Sequence, residues 1–178
     1  MDKVTLHSIN TILQRDSKDT TYKFALLRAL VEITSEAEQH LLFEDSAYVE
    51  FPTGLVLEKW ILYYYPIVEA GLPQKHGEDL SDSRKKGIAF RNQFKNLIDF
   101  YAPRGGFSAF YRDYKTEGVP NSIGTAFLEL LSKLYSTITR YPMKHLGYSV
   151  HGSHYFITNF NKDKPRLTKK RCSGALDA

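Results

Sequence analysis

The stretch from Leu55 to Ala70 is the most apolar part of the chain, and it constrains the fold more strongly than any other segment. Glu58, Lys59 and Pro66 interrupt it, so it falls short of the run of about 18 apolar residues that a membrane span needs. A helix that is apolar nearly all round is normally covered by other elements on several sides. We therefore predict a central core helix here, bent in its last turn by Pro66, and no membrane partner.

The composition is that of a folded domain. Of the 178 residues, 42% are hydrophobic and 13% aromatic, which excludes disorder over most of the length. This length suits one domain with a real core. The single cysteine, Cys172, excludes an internal disulfide and a zinc site built from cysteines, and the residues after Met1 lack the hydrophobic region of a secretory signal. We expect a single-domain cytoplasmic protein.

Apolar residues three and four apart predict further helices, whose ends are marked by glycine, proline or capping residues. The expected helices cover residues 6–14, 20 or 21 to about 40, 53–68, 88–101, 107–116, and 121 or 122 to about 139. The expected N-caps are Thr53 and either Asn121 or Ser122. The expected inward stripe of the second helix is Phe24, Leu27, Leu30, Val31 and Thr34.

After Pro142 the pattern changes from helical spacing to alternation. Residues 146–150 and 155–160 flank the four-residue turn 151–154, which predicts a β-hairpin. The alternating segment 48–51 predicts a short strand that could pair with this hairpin. The expected fold is therefore mainly α: a compact bundle of five or six helices with a small C-terminal β-hairpin, joined by the strand near 48–51.

The formal net charge of +4 is concentrated at the C-terminus. Residues 162–178 hold six basic and two acidic residues, whereas basic and acidic residues cancel over 1–161. We expect one helical domain over 1–161 and a basic, mobile tail over 162–178. Such a tail would attract phosphate without sequence specificity, or it would be a solvated end that binds nothing in particular.

Histidines 151 and 154 form the one candidate pair of metal ligands, with Asp163 as the nearest acid. A metal pair on a helix needs i and i+4 spacing. Here the spacing is three across a glycine turn, so an exposed turn is the simpler interpretation. Neither a G-x-S-x-G nucleophile motif nor a P-loop occurs, and Cys172 lies in the expected tail. We therefore predict no catalytic residue and no cofactor for this chain.

Basic side chains near aromatic residues are candidates for contacts with a nucleic-acid backbone. The predicted contact residues are Arg15, Lys18, Arg84, Lys85, Lys86, Arg91, Lys95 and Arg104. Arg91 and Lys95 are four apart on an expected helix, so they should share an exposed face. Arg104 precedes two glycines whose free N–H groups could contact a phosphate.

Each of these candidates has a plainer alternative. Asp16 and Asp19 could pair with the cations beside them and cap the next helix. The cations from Arg84 onwards could form an ordinary solvated face. The Arg104-Gly-Gly segment could be a tight connection between two helices.

Three segments together resemble a known family. They are residues 8–28, 52–66 and 104–111, with the sequences SINTILQRDSKDTTYKFALLR, PTGLVLEKWILYYYP and RGGFSAFY. In this order they resemble the N-terminal region of bacterial HNH endonucleases, over roughly residues 4–165. The resemblance implies a DNA-binding or scaffold domain from a defence or mobile-element nuclease.

In that family the HNH module lies further along the chain. HNH chemistry uses a histidine to activate water and a divalent metal to stabilise the leaving oxygen. No histidine follows His154, so no such module can be assembled here. We therefore expect a truncated protein that is not catalytic by itself, and a divalent metal only where the missing module is present. The implied partners are the DNA backbone, the missing module or a second copy.

Two other classes of protein stay open. One is a protein-interaction or self-association domain without nucleic-acid binding, which would use aromatic residues such as Tyr63, Tyr64, Tyr65 and Tyr111. The other is a small metal-dependent hydrolase built on the two histidines at 151 and 154.

Overall fold

The computed structural model describes residues 6–15, 20–36, 43–44, 49–50, 52–81 and 87–146, and within them the fold is mainly helical, as predicted. The elements are α1 (Leu6–Arg15), α2 (Tyr22–Glu36), β1 (Phe43–Glu44), β2 (Val49–Glu50), α3 (Thr53–Glu69), α4 (Arg91–Tyr101), a 3-10 helix (Ala102–Arg104), α5 (Gly106–Lys115), α6 (Asn121–Arg140) and α7 (Pro142–His145). Six of the helices in these ranges have ten residues or more.

The short strand predicted near 48–51 is present as β2, which pairs antiparallel with β1 in the register Phe43 to Glu50 and Glu44 to Val49. The predicted C-terminal hairpin falls almost wholly on residues 147–160, outside the described part of the chain. No helix in the described ranges is both long enough and apolar enough to cross a membrane.

The predicted central helix is α3. Its side chains Val56, Trp60 and Tyr65 are 0% exposed, and α2, α4 and α6 all pack against it. Aromatic rings join these elements: Tyr64 meets Phe90 beside α4 with ring centroids 4.9 Å apart. The apolar periphery of α3 is therefore covered on several sides, as its sequence indicates.

The inward stripe predicted for α2 is partly wrong. Phe24 and Val31 are 41% and 52% exposed, and Thr34 is exposed as well. The helix instead turns Tyr22, Leu26, Ala29 and Ile33 inward, together with Ala25 and Leu27. Both sets of residues have helical spacing, and the buried set contains the small residues Ala25 and Ala29. Packing, rather than side-chain hydropathy alone, selects the buried face.

Apolar residues with helical spacing are buried on both α4 and α6. Phe94, Leu97 and Tyr101 are buried on α4, and the buried residues of α6 include Phe127, Leu130, Leu131, Leu134 and Ile138. The α4 helix starts at Arg91 rather than at residue 88, with Phe90 in the N-cap position.

The predicted N-caps of α3 and α6 are wrong. Pro52 and Pro120 occupy the cap positions, with φ near −60° and −55°, and neither helix start has a side-chain cap hydrogen bond. Proline holds φ close to these values by itself. Thr53 and Asn121 are therefore the first helical residues rather than caps.

Candidate nucleic-acid interface at the Tyr22 junction

Tyr22, the first residue of α2, ties the starts of two helices together. Its side chain is 7% exposed, and its ring packs against Trp60 and Phe90 at centroid distances of 5.6 Å and 5.5 Å. Its hydroxyl accepts a 2.8 Å hydrogen bond from the backbone N–H of Ala89, just before α4. Burial disfavours the phenolate and raises the pKa of Tyr22 to about 12, so this hydroxyl is a neutral structural anchor.

The loop after α3 is fastened to the same place. The N–H of Thr21 donates to the carbonyl of Gln74 at 3.2 Å, and Thr20 forms an isolated antiparallel bridge with Lys75. The hydroxyls of Thr21 and Tyr64 lie 2.8 Å apart and share a hydrogen bond. These contacts hold the segment before α2 against the loop that leads towards α4.

A buried ion pair between Glu78 and Arg91 joins the loop after α3 to the start of α4. Oε1 of Glu78 lies 2.8 Å from Nε of Arg91, and the two side chains are 0% and 10% exposed. The Nε–H is not aligned with that oxygen, so the contact is electrostatic rather than a hydrogen bond. Oε2 of Glu78 accepts the N–H groups of Gln74 and Lys75 at 2.6 Å and 3.1 Å, and Nη2 of Arg91 donates to the carbonyl of Leu72 at 2.8 Å.

The exposed placement predicted for Arg91 is therefore wrong. Its guanidinium contacts a buried carboxylate and donates to a backbone carbonyl, so it could bind a phosphate only by breaking both contacts. A buried carboxylate needs a partner cation, and Arg91 supplies it. We regard Arg91 as a structural residue of the junction and not as a contact residue.

The connection between α6 and α7 reaches the same region. Tyr141 lies between these helices, close enough to Tyr22 for the two phenols to interact electrostatically, and α7 packs against α2. We call the meeting place of residues 20–22, 72–78, 89–91 and Tyr141 the Tyr22 junction. Four separate segments of the chain come together there.

On α6 and α7, whose connection reaches the Tyr22 junction, three basic residues were not among the contact residues predicted from the sequence. Lys133 and Arg140 on α6 and Lys144 on α7 are exposed, and none of them forms an ion pair with a residue that the structure describes. The signal that could have found them is the absence of any acid from residue 130 to residue 161. We predicted an excess of positive charge only at the C-terminus and did not identify this internal stretch, which has basic residues but no acid.

The remaining predicted contact residues are placed as follows. Arg15 ends α1, while Lys18, Arg84, Lys85 and Lys86 fall outside the described ranges. The segments that carry them rejoin the described chain at Thr20 and Gly87. Both of these points adjoin the Tyr22 junction.

Lys95 and Arg104 are exposed but do not form one strip with Arg91. Lys95 lies one turn into α4, and Arg104 lies beyond its far end. The Arg104 guanidinium stacks over the ring of Phe100 at 3.9 Å and donates to the carbonyl of the same residue. The structure thus separates three cations that the sequence interpretation grouped together.

The Arg104-Gly-Gly segment is a tight connection between α4 and α5. Gly105 and Gly106 have φ values of 110° and 61°, which residues with a β-carbon rarely adopt. A β-carbon on Gly106 would lie 2.8 Å from Oε1 of Glu69, so a carboxylate already sits beside the start of α5. An anionic ligand at this helix start would be repelled.

A metal site finds no support in the described ranges. They contain no group of three or more His, Cys, Asp or Glu residues that could hold an ion. The histidines at 151 and 154, Asp163 and Cys172 lie beyond residue 146, outside what the structure describes.

Comparison with known proteins gives a family and no activity. No curated protein and no solved structure matches the chain. The model of one family, described as a domain of unknown function (DUF8808), matches residues 2–176. Since this match covers nearly the whole chain, the protein belongs to the DUF8808 family.

Proposed function

We propose that the protein binds the phosphate backbone of DNA around the Tyr22 junction, as the non-catalytic N-terminal domain of an HNH-endonuclease-like protein. The observation that carries this proposal is the convergence of four chain segments at Tyr22. In the sequence, the cation-rich stretches 15–18 and 84–86 come shortly before residues of this junction, Thr20 and Ala89. The described chain resumes at Thr20, two residues after Lys18, and at Gly87, directly after Lys86.

The charges within the Tyr22 junction favour an anionic partner. Glu78 is buried and matched by Arg91. Oδ1 of Asp79 accepts hydrogen bonds from the N–H and hydroxyl of Ser81, at 3.0 Å and 2.6 Å. Lys75 is exposed and pairs with no acid that the structure describes. Both acids are thus engaged within the fold, whereas Lys75 faces the solvent.

Binding of this kind is electrostatic and independent of sequence. Each phosphate neutralised by a Lys or Arg releases counterions, so affinity falls steeply with salt. The helical scaffold would hold DNA for a separate nuclease module, and we propose no catalytic residue for it.

The test uses a labelled 20-base-pair duplex and fluorescence anisotropy at several salt concentrations. The protein is the full chain with the tail neutralised, so that tail binding does not hide the domain. The neutralised tail residues are Lys162, Lys164, Arg166, Lys169, Lys170 and Arg171, each changed to Gln. We expect the triple variant Arg84→Gln, Lys85→Gln, Lys86→Gln to reduce the salt dependence by about 0.9 per lost contact.

The control is Arg112→Gln on α5, whose side chain is 69% exposed and remote from Tyr22. It removes the same kind of charge and should leave the salt dependence unchanged. Failure of the tail-neutralised chain to bind duplex DNA at low salt would reject the proposal.

A second candidate function, self-association without nucleic acid, is favoured by the outer face of α2. Phe24 and Val31 are seven residues apart, share that face, and are 41% and 52% exposed. Large exposed apolar residues on one face are typical of interaction sites. Light scattering should then give a dimer mass that the double variant Phe24→Ser, Val31→Ser reduces to that of a monomer.

A further inference from the structure

We propose that the corner between α6 and α7 binds single-stranded nucleic acid, with Lys133, Arg140 and Lys144 contacting phosphates and the ring of Tyr141 stacking on a base. This inference rests on the proposed function and names a substrate class for it. We call these four residues the α6–α7 corner. None of them belongs to the cations that the sequence singled out.

The α6–α7 corner carries three exposed cations in a stretch of sequence without acids. Lys59, Arg112 and Lys115 each lie within 3.1 Å of a carboxylate. The three cations of the corner have no such partner among the described residues. No acid occurs between residue 130 and residue 146. An excess of exposed positive charge without internal partners is suited to an anionic chain.

The spacing on α6 places two of these cations on one side. Lys133 and Arg140 are seven residues apart, so they lie two turns from each other on the same face, about 10 Å apart along the axis. Ser136 lies between them and is also exposed. Lys144 extends the same charge onto α7. The cations therefore follow the helix as a row rather than forming a single point of contact.

Tyr141 presents an aromatic surface at the bend between α6 and α7. Its N–H donates to the carbonyl of Thr137 at 3.1 Å, and the next residues, Pro142 and Met143, are buried. The side chain is nevertheless 50% exposed, and its ring stacks on no other aromatic ring in the described part of the chain. A half-exposed ring offers a surface on which a base can stack.

Stacking on Tyr141 distinguishes a single strand from a duplex. The bases of a duplex are already stacked on each other, whereas an unpaired base can leave its neighbours and pack on an aromatic ring. Cations would serve either partner equally. A set of cations on both sides of a half-exposed tyrosine therefore favours the single strand.

The test compares a labelled 15-nucleotide single strand with the corresponding duplex by fluorescence anisotropy, using the full chain with the same six tail residues changed to Gln. We expect Tyr141→Leu to weaken single-strand binding about 10-fold, in line with the loss of one base stack, and to change duplex binding less than 2-fold. Leu keeps an apolar side chain, so folding is preserved, and a melting curve verifies this. Tyr141→Phe retains the ring and should bind as the unchanged protein does.

The matched control is Tyr111→Leu. Tyr111 lies on α5 rather than on α6 or α7, and it is 43% exposed. Its ring packs beside that of Phe107, with the ring centroids 6.0 Å apart. It should leave single-strand binding unchanged. The triple variant Lys133→Gln, Arg140→Gln, Lys144→Gln should weaken single-strand binding and lower its salt dependence by about 0.7 per lost contact.

The outcomes separate this inference from the proposed function. Should the triple variant at 84–86 weaken duplex binding while Tyr141→Leu and the triple corner variant change nothing, the α6–α7 corner is rejected and the proposed function stands. Equal losses for single strand and duplex in Tyr141→Leu would also reject it, because they indicate that the ring does not stack on an unpaired base. Absence of binding to either nucleic acid rejects both.

Discussion

The carboxylate of Glu78 lies so close to Gly87 that a β-carbon at position 87 would overlap it. Because glycine has no β-carbon, position 87 leaves room for the carboxylate of Glu78 to lie beside Arg91. Replacing Gly87 by Ala should force the carboxylate away from its partner cation and cost about 1–3 kcal/mol, as overpacking of a filled site does. Urea unfolding of the purified variant measures this loss.

Gly124 provides the control for this glycine. It lies inside α6, and a β-carbon there meets nothing within 4 Å. Gly124→Ala should therefore stabilise the protein by about 0.5–1 kcal/mol, because alanine favours a helix interior. A Gly87→Ala variant as stable as the unchanged protein would contradict the packing described for Glu78.

The buried ion pair itself predicts a strong effect of charge removal. Changing Glu78 to Gln leaves the Arg91 guanidinium, 10% exposed, without its carboxylate. Loss of one partner of a buried pair costs about 3–5 kcal/mol. The double variant Glu78→Gln, Arg91→Met should recover part of this loss, since no unpaired charge is left. Chemical denaturation of the unchanged protein, the single variants Glu78→Gln and Arg91→Met, and the double variant measures the coupling, and additive losses would argue against a buried pair.

Acid should weaken the contact between α2 and α3 through Glu32. Burial opposes ionisation of this carboxyl, but a hydrogen bond from Arg28 and contact with Lys59, at 2.8 Å and 3.0 Å, outweigh it and lower the pKa of Glu32 from 4.5 to about 2. A lowered carboxyl pKa adds stability that is present above the unfolded value and lost as pH falls through the folded one.

We therefore expect the melting temperature of Glu32→Gln to fall less than that of the unchanged protein between pH 5 and about pH 2. Thermal unfolding monitored by circular dichroism across this window measures the difference. Glu129→Gln, on the exposed side of α6, should keep the pH dependence of the unchanged protein. Parallel curves for Glu32→Gln and the unchanged protein would refute the assignment.

Removal of the Tyr22 hydroxyl should loosen the start of α4. In Tyr22→Phe the ring still packs against Trp60 and Phe90, but the Ala89 N–H loses its acceptor. An unsatisfied, partly buried donor costs about 1–3 kcal/mol. Hydrogen exchange at Ala89 should accelerate relative to Tyr111→Phe, a change at an exposed ring. Unaltered exchange would show that this bond does not hold the junction.

Helices with one dominant apolar stripe could be predicted from the sequence. In α6 the large residues Phe127, Leu130 and Leu134 recur on a single face, and they are buried as expected. In α2 two faces compete, because Phe24 and Val31 have the same spacing as the buried Leu26 and Ile33. The spacing of the residues alone does not show which of the two faces packs against α3.

The candidate site was harder to predict from the sequence than the helices were. Arg91 and Glu78 are 13 residues apart in a polar stretch, and nothing in spacing or composition shows that they meet in the interior. The row of Lys133, Arg140 and Lys144 could have been found from the missing acids around it. The relation to HNH endonucleases stays a prediction, since the DUF8808 match gives a family without an activity.

The position of Trp60 provides an optical probe of the Tyr22 junction. The chain has a single tryptophan, its indole is fully buried, and the Tyr22 ring lies beside it. Any rearrangement of the loop or helix starts fastened to Tyr22 would alter the surroundings of that indole. Tryptophan emission therefore comes from one known position in the core and follows changes around it, without a label, during titration with an oligonucleotide or a denaturant.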